Sequence, residues 1–233
     1  MAPADIIMNK KIVLILFLMG AHVFSQENER NNTMKILVVG GTGTIGKAVV
    51  KELAQRHTII TAGLHNADIH VDITDTNSIE AMYKSVGKID AVIATVGKVT
   101  FAPLEEMTPE SYMMGLQDKL MGQVNLVVLG IKYINDGGSF TLTSGILNHD
   151  PIVQGSSAAM VNGALDSFAK CAAIEMPRGI RINIISPTVL VESMHIYSDY
   201  FHGFDPVPAT KVALAYSKSI EGAQTGQVYR VGY

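Results

Sequence analysis

A glycine-rich turn between an apolar run and a helical pattern most constrains what this chain can fold into. The turn is Gly40-Gly41-Thr42-Gly43-Thr44-Ile45-Gly46, after the β-branched run Lys35–Val39 and before residues 46–56, whose apolar side chains recur at helical spacing. Glycine is required where side chains would block a tight turn and the approach of a pyrophosphate to a helix N-terminus. In this context the motif predicts a dinucleotide site, and the alternative is a glycine-rich turn that binds no ligand.

Apolar runs alternate with helical patterns along the rest of the chain. Strands are predicted over residues 35–39, 58–62, 69–71, 91–96, 140–143, 180–185 and 227–231. The longest helices are predicted over residues 108–134, with Thr108 as N-cap before Pro109, and over residues 156–176. Apolar strands that alternate with helices predict an α/β fold of the Rossmann type, a doubly wound parallel sheet with helices on both faces in a single domain.

The first 33 residues differ from the rest. Two lysines precede the apolar residues 12–19, and a small-residue cleavage pattern follows, as in a secretory signal peptide; the polar residues 26–33 are typical of a disordered lead-in. The alternative is that translation begins at Met34. Because nicotinamide cofactors are cytoplasmic metabolites, we expect residues 34–233 to be a cytoplasmic NAD(P)-binding domain, with export as the alternative if the leader is real.

Charge and cysteine content argue against several other classes of protein. The net charge is −3 with no dense run of lysine and arginine, so the electrostatic footprint of a nucleic-acid-binding protein is missing. The leader's apolar run is too short to cross a bilayer, so we expect no membrane association of the mature domain. The single cysteine, Cys171, rules out an intramolecular disulfide and a cysteine-based metal site, and its place in an alanine-rich helix predicts a buried structural thiol.

A second contact with the dinucleotide is expected at the end of the second strand. That place holds Gly63-Leu64-His65-Asn66. No acidic residue follows the strand directly to bind the ribose hydroxyls of NAD(H), and no arginine is present to pair with the 2′-phosphate of NADP(H). His65 and Asn66 remain as candidate contacts, which favours NADP(H) weakly over NAD(H).

Several motifs, in the right order, resemble those of the short-chain dehydrogenase/reductase superfamily. The glycine loop is similar to its GxxGxxG phosphate loop, Asp72-Ile73 to its adenine-contacting pair, residues 94–97 to its Asn-Asn-Ala-Gly segment, and residues 179–188 to its GIRVN…PG segment. The cofactor contacts that this resemblance implies are Gly40, Thr42, Gly43, Thr44, Ile45, Gly46, Asp72, Ile73, Thr95, Val96, Gly97, Pro187 and Leu190.

The resemblance covers residues 34–233, and it is strongest to a small, atypical bacterial subgroup. It implies a seven-stranded parallel sheet and an NAD(P)-dependent oxidoreductase that acts on a small carbonyl or alcohol. It also implies a homodimer or homotetramer formed through the two long central helices.

Two of the superfamily's catalytic positions are altered. The superfamily uses a tyrosine as acid and base and a lysine one helical turn later, whose ammonium lowers the tyrosine pKa. The resemblance places Ala158 at the tyrosine position and Asn162 at the lysine position, and Tyr-x-x-x-Lys occurs nowhere in the chain. A degenerate catalytic site is therefore expected.

Other side chains remain as candidates for the chemistry. The resemblance places Ser144 at, or one residue before, the substrate-orienting serine, and it places Lys119 at an asparagine of the preceding helix. A lysine there faces either the cofactor or a solvated or subunit-facing surface. Ser144 is otherwise a strand-end serine bonded to backbone. His149 and Asp150 are candidate replacement proton donors; the alternative is that they are simply exposed side chains.

Three hypotheses about function follow. The first is an oxidoreductase with a rearranged site, the second is a non-catalytic NADP(H)-binding sensor or partner, and the third is an exported domain that no longer meets a cofactor.

Overall fold

A computed structural model describes residues 33–233, and the interpretation of the leader lies outside these residues. Its sheet contains seven strands: β1 (Lys35–Val39), β2 (Thr58–Gly63), β3 (Ile69–His70), β4 (Ile89–Ala94), β5 (Ile134–Thr143), β6 (Arg181–Pro187) and β7 (Val228–Val231). Every neighbouring pair is parallel, in the order β3-β2-β1-β4-β5-β6-β7. The predicted seven-stranded parallel sheet of the Rossmann type is confirmed.

Helices surround the sheet. They are α1 (Thr44–Leu53), α2 (Thr76–Val86), α3 (Pro109–Gly115), a π-helix (Leu116–Met121), α4 (Gly122–Gly130), α5 (Ser156–Glu175), α6 (Met194–Tyr197) and α7 (Ala209–Glu221). Helix α1 packs against α7, while α2 packs against α4 and α3 against α5. Because parallel strands have both faces covered, the central strands are almost entirely buried and apolar. The order reverses between β1 and β4, and such a switch point opens a crevice at the carboxyl ends of the strands.

The structure differs from the sequence-based predictions at several element ends and in the exposure of Cys171. The helix predicted over residues 108–134 ends at Gly130 and contains the π-helix, because Ile134 already pairs with Ile89 as the start of β5. The strand predicted over residues 91–96 ends at Ala94. Cys171 is exposed rather than buried, since it lies on the outer face of α5. Thr108 does cap α3, accepting a hydrogen bond from the Ser111 N–H.

Within residues 33–233, every helix is too short or too polar to span a bilayer. The same residues form no group of three or more His, Cys, Asp or Glu side chains that could hold a metal ion.

Candidate active site

The glycine loop lies between β1 and α1, and packing within the protein explains two of its glycines. Gly40 has a φ of +86°, and a Cβ atom there would lie 2.5 Å from Val96 Cγ1. A Cβ atom on Gly46 would overlap the Gly40 carbonyl oxygen. The Thr95 hydroxyl donates to the carbonyls of Val39 and Gly40, at 3.2 and 3.0 Å, and so fixes the loop from the side of β4. These contacts bring the helix N-terminus close to the end of β1.

Gly43 is different, because nothing in the protein requires a glycine there. Its backbone is extended, and an added Cβ would meet only the Gly40 carbonyl oxygen, at 3.4 Å. It is the N-cap residue of α1, and no side chain caps this helix or places a carboxylate in its first turn, which holds Thr44 and Ile45. An uncapped helix N-terminus beside an open glycine is a cradle for an anion. The loop therefore fits the pyrophosphate of a dinucleotide.

A cavity of about 220 Å³ opens beside this loop, at the carboxyl ends of β1, β2 and β4. Seven of the predicted cofactor contacts line it: Gly40, Thr42, His65, Asp72, Ile73, Val96 and Gly97. Thr74 donates its hydroxyl and its N–H to Asp72 Oδ1, at 2.7 and 2.9 Å, and these bonds lower the pKa of the carboxyl. Asp72 thus stays ionised, and its Oδ2 has no hydrogen bond with the described residues. We name this space the nucleotide cavity.

Of the two cofactor contacts predicted at the end of β2, the structure places only one in the cavity wall. His65 lines the nucleotide cavity, whereas Asn66 does not and lies exposed with a φ of 56°. The nearest acidic residue, Asp68, accepts hydrogen bonds from the N–H and the hydroxyl of Thr61, at 2.8 and 2.7 Å, and does not line the cavity. Lys98, which sequence reasoning missed, does line it. Its signal was its place directly after the predicted cofactor segment that ends at Gly97.

A second cavity of about 210 Å³ lies beside the first and is lined mostly by apolar and aromatic side chains. Phe101, Tyr197 and Phe201 form its aromatic part; the ring centroid of Tyr197 is 6.0 Å from that of Phe101 and 6.4 Å from that of Phe201. Pro187 and Leu190, predicted as cofactor contacts, lie in its wall. We name this space the substrate cavity. No motif marks its aromatic side chains, since Phe101 and residues 197–201 lie outside the superfamily motifs.

Ala158 and Asn162 lie one turn apart on α5 and both line the substrate cavity. Lys119 reaches the same cavity from the π-helix, and its Nζ donates to Asn162 Oδ1 at 2.8 Å and to the Ser144 carbonyl at 3.2 Å. The ammonium therefore lies in the wall of the substrate cavity and not in that of the nucleotide cavity, and its orientation towards the cofactor stays a prediction. Burial lowers the pKa of Lys119 to about 8, although the carboxylate of Asp166 acts in the opposite sense.

The π-helix and Gly97 place Lys119 between the two cavities. Of two consecutive residues, Asp118 lines the nucleotide cavity and Lys119 the substrate cavity. A Cβ atom on Gly97 would lie 2.5 Å from Lys119 Cγ, so this glycine is what allows the lysine stem to pass. The buried side chain of Gln123 donates to the Lys119 carbonyl at 3.2 Å and accepts from the Thr143 N–H at 2.8 Å, which joins the π-helix to the end of β5. π-Helical turns are rare and occur frequently at functional sites.

Ser144 follows β5 and is almost fully buried in the wall of the substrate cavity. Its N–H donates to the Ile185 carbonyl at 3.0 Å, but its hydroxyl has no hydrogen-bond partner in the described part of the chain. The alternative, a serine whose hydroxyl is bonded to backbone, is wrong. An unpaired hydroxyl costs free energy when buried, so this one is available to a ligand in the cavity.

His149 and Asp150, the candidate replacement proton donors, do not line the substrate cavity. Both are exposed, because the 3₁₀ turn Ile146–Asn148 carries the chain away from the cavity wall. His149 Nε2 lies 3.6 Å from Asp166 Oδ2, and Arg230 contacts the imidazole from β7 at 3.3 Å. Neither residue is placed to give a proton to a ligand in the cavity.

Comparison with known proteins agrees with this geometry. Residues 36–218 match the family model described as Enoyl-(Acyl carrier protein) reductase. The solved structure of the protein lin1944 from Listeria innocua is 57% identical, with a TM-score of 0.84, over 85% of this chain and 100% of that one. The hydroxynaphthalene reductase-like protein Arp2 from Metarhizium brunneum is 28% identical over 194 residues, 70% of this chain and 71% of the relative.

A small-chain dehydrogenase solved in complex with NADPH shares the fold, with a TM-score of 0.75 and 24% identity over 86% of this chain and 97% of that one. The matched segments of the curated relatives vary in extent. They span 53% of the first relative's own length and 79% of another's.

Proposed function

Because the chain belongs to the short-chain dehydrogenase/reductase superfamily, we propose that it transfers hydride between NADP(H), in preference to NAD(H), and a small apolar carbonyl or alcohol. One observation carries the proposal: two cavities of similar size lie at the carboxyl edge of the sheet, and Gly97 in the wall of one packs against Lys119 in the wall of the other. The first would hold the adenosine half of a dinucleotide, and the second, whose wall includes the predicted cofactor contacts Pro187 and Leu190, would hold its nicotinamide beside a small second reactant.

The nucleotide cavity has the groups that a dinucleotide needs. The open cradle at Gly43 would hold the pyrophosphate, while Asp72 and Ile73 would contact the adenine. At the end of β2 the wall offers Thr42 and His65 and no carboxylate, and Lys98 adds a cation, which supports the preference for a cofactor with an additional phosphate. The bound nicotinamide would supply or accept the hydride.

The substrate cavity supports an uncharged, apolar reactant. Among the residues that the structure describes, its wall contains one cationic side chain, Lys119, and no Asp, Glu, Arg or His. Its other polar groups include the unpaired hydroxyl of Ser144, which can donate to a carbonyl oxygen and so orient it. The names of the relatives differ in substrate, from enoyl groups to hydroxynaphthalenes, so the chemistry of this wall is the better guide.

The experiment is a turnover assay on the full chain. We expect NADPH to be oxidised in the presence of small aromatic aldehydes such as para-nitrobenzaldehyde, at a rate that saturates with aldehyde. Cationic aldehydes of similar size, such as para-(trimethylammonio)benzaldehyde, should react with a higher KM, because the described wall holds a lysine ammonium and no carboxylate that could pair with them. Absence of cofactor oxidation with every carbonyl and of cofactor reduction with every alcohol would contradict the proposal.

The second candidate is a non-catalytic NADP(H)-binding sensor or partner protein. The observation that favours it is the methyl group of Ala158 in the cavity wall, where the superfamily's tyrosine is expected. The same assay separates the two functions, because a sensor binds NADPH tightly and turns over no carbonyl.

A further inference from the structure

We propose that Lys119 is the proton donor and acceptor of the reaction, carried into the substrate cavity by the π-helix and held there by Asn162. This inference rests on the proposed function. It concerns the group that exchanges a proton with the substrate oxygen, a role for which the cavity has no tyrosine at position 158.

The substrate cavity offers few groups that can exchange a proton. Among the described residues, its ionisable lining consists of Lys119 and Tyr197. Tyr197 lies on α6, with its ring close to those of Phe101 and Phe201. Lys119 lies beside Ser144 and against Gly97, and Gly97 lines the nucleotide cavity. An acid at this junction is next to the place where hydride transfer must occur.

The hydrogen bonds of the ammonium leave one proton for the substrate. A lysine ammonium has three N–H donors. Two of them are accepted by Asn162 Oδ1 and the Ser144 carbonyl, and the ammonium forms no other hydrogen bond and no ion pair within the described residues. Deprotonation would replace the third N–H by a lone pair in the same direction. The same two acceptors thus orient Lys119 as an acid when it is charged and as a base when it is neutral.

The surroundings of Lys119 suit an acid that works near neutral pH. The titratable side chains around it are Asp166 on α5, Tyr197 on α6, Lys98 after Gly97 and Asp118 on the π-helix, with His149 behind Asp166. Burial lowers the pKa of Lys119 to about 8, and Asp166 opposes this only from a distance. Acid–base catalysis is most efficient when the pKa lies near the working pH.

The atoms and electrons of the step balance between the substrate, Lys119, the nicotinamide cofactor and solvent. In reduction, the carbonyl carbon gains a hydride and the π electrons move to the oxygen, which bonds to a proton from Lys119 Nζ. The product is an alcohol, and the lysine is left as a neutral amine that water at the cavity mouth protonates again. In oxidation, the neutral amine takes the hydroxyl proton as the hydride leaves the carbon. The nicotinamide cofactor is the reductant or oxidant in each direction.

Compared with the superfamily pattern, lysine and asparagine have exchanged helices. The resemblance expects asparagine at position 119 and lysine at position 162, whereas this chain has the reverse, with the two side chains 2.8 Å apart. Asn162 is then a positioning residue, since it orients the ammonium without touching the substrate. Its replacement by leucine should leave the amine in place but less well oriented.

The test begins with the pKa of Lys119 in the protein without cofactor. Competitive labelling of amines over a range of pH, read out by peptide mass spectrometry, should show Lys119 half-titrated near pH 8, with the exposed Lys51 labelled in the same samples as an internal reference. Titration of Lys119 near 10.5 would overturn the inference. This readout does not depend on turnover.

Kinetics of the full chain with NADPH and para-nitrobenzaldehyde complete the test. Lys119→Met should lower kcat by about 10²–10⁴-fold, as expected for loss of a positioned acid. Lys119→Arg keeps the charge but not the exchangeable proton and should fall almost as far, while the matched control Lys51→Met should leave kcat unchanged. In the unmutated protein the reduction rate should fall as pH rises through about 8, and alcohol oxidation should rise.

The outcomes separate the two proposals. Turnover that Lys119→Met leaves unchanged, or a reduction rate that does not fall as pH rises from about 7 to 9, would overturn the role of Lys119 while leaving the proposed function intact. Absence of turnover in the unmutated protein would overturn the proposed function and this role together.

Discussion

The hydroxyl of Ser144 is buried and has no hydrogen-bond partner among residues 33–233, which costs a folded protein roughly 1–3 kcal/mol. Ser144→Ala should therefore leave the thermal unfolding temperature of the cofactor-free protein unchanged or raised. Turnover should fall roughly 3- to 10-fold, because a hydrogen bond to the substrate oxygen is lost. Calorimetric unfolding and kcat/KM test both halves. A lower unfolding temperature would mean that the hydroxyl serves the fold.

Lys119 should also make stability depend on pH. Its pKa is lowered in the folded protein to about 8 from an ordinary value of 10.5, so between these values the unfolded chain binds more protons and stability rises with pH. The contribution is unfavourable below pH 8 and absent above 10.5. Denaturant unfolding at about pH 7 and pH 10 should show the wild type gaining stability relative to Lys119→Met. A difference that does not change with pH would contradict this.

At the level of single residues, the motifs predicted which residues belong to the site better than they predicted the contacts that those residues make. Ser144 and Lys119 were found because the superfamily pattern marks their places, and both lie in the substrate cavity. His149 is a candidate only because it is titratable and close to Ser144 in the sequence, and it does not line the cavity. Phe101 and Gln123 were missed, since their roles depend on contacts with segments distant in sequence, which no local pattern reveals.

At the level of elements, the superfamily's tyrosine and lysine can be restored on α5, but we expect this to work only if Lys119 on the π-helix is replaced as well. Ala158→Tyr with Asn162→Lys would bring a second ammonium next to Lys119, whose Nζ is 2.8 Å from Asn162 Oδ1, and like charges at that distance oppose each other's ionisation. Adding Lys119→Asn removes the conflict. The triple variant should therefore reduce para-nitrobenzaldehyde with a higher kcat than the double variant. A double variant that is equally or more active would contradict the exchanged arrangement.

Element identity was predictable, whereas element ends were not. All seven strands occur where apolar runs predicted them. The start of β5 was missed because residues 135–138, Asn-Asp-Gly-Gly, look like a turn, although Ile134 already pairs with β4. The π-helix was also not predicted, since an additional residue in a helical turn changes the hydrophobic spacing too little to detect. Both differences lie at elements that border the active site.

At the level of the whole molecule, we expect residues 34–233 to fold without the leader. The compact unit begins at Lys35, where β1 starts at the centre of the sheet between β2 and β4. A chain that starts at Met34 should unfold cooperatively, at the same temperature as the full chain within about 2 °C, which is the shift that a fraction of a kcal/mol would cause. Circular dichroism during heating measures this. Loss of cooperative unfolding would show that the leader belongs to the fold.

The central claim, a nicotinamide cofactor held at the glycine loop, is tested most directly by calorimetric titration of the full chain with NADPH and NADH. We predict saturable binding of NADPH, at least as tight as that of NADH, and its loss in Gly43→Val. That variant should keep its unfolding temperature, since a Cβ at position 43 meets only one protein atom, at 3.4 Å, whereas Gly46→Ala should destabilise the loop itself. No detectable binding of either cofactor to the unmutated chain, or undiminished binding to Gly43→Val, would contradict the account.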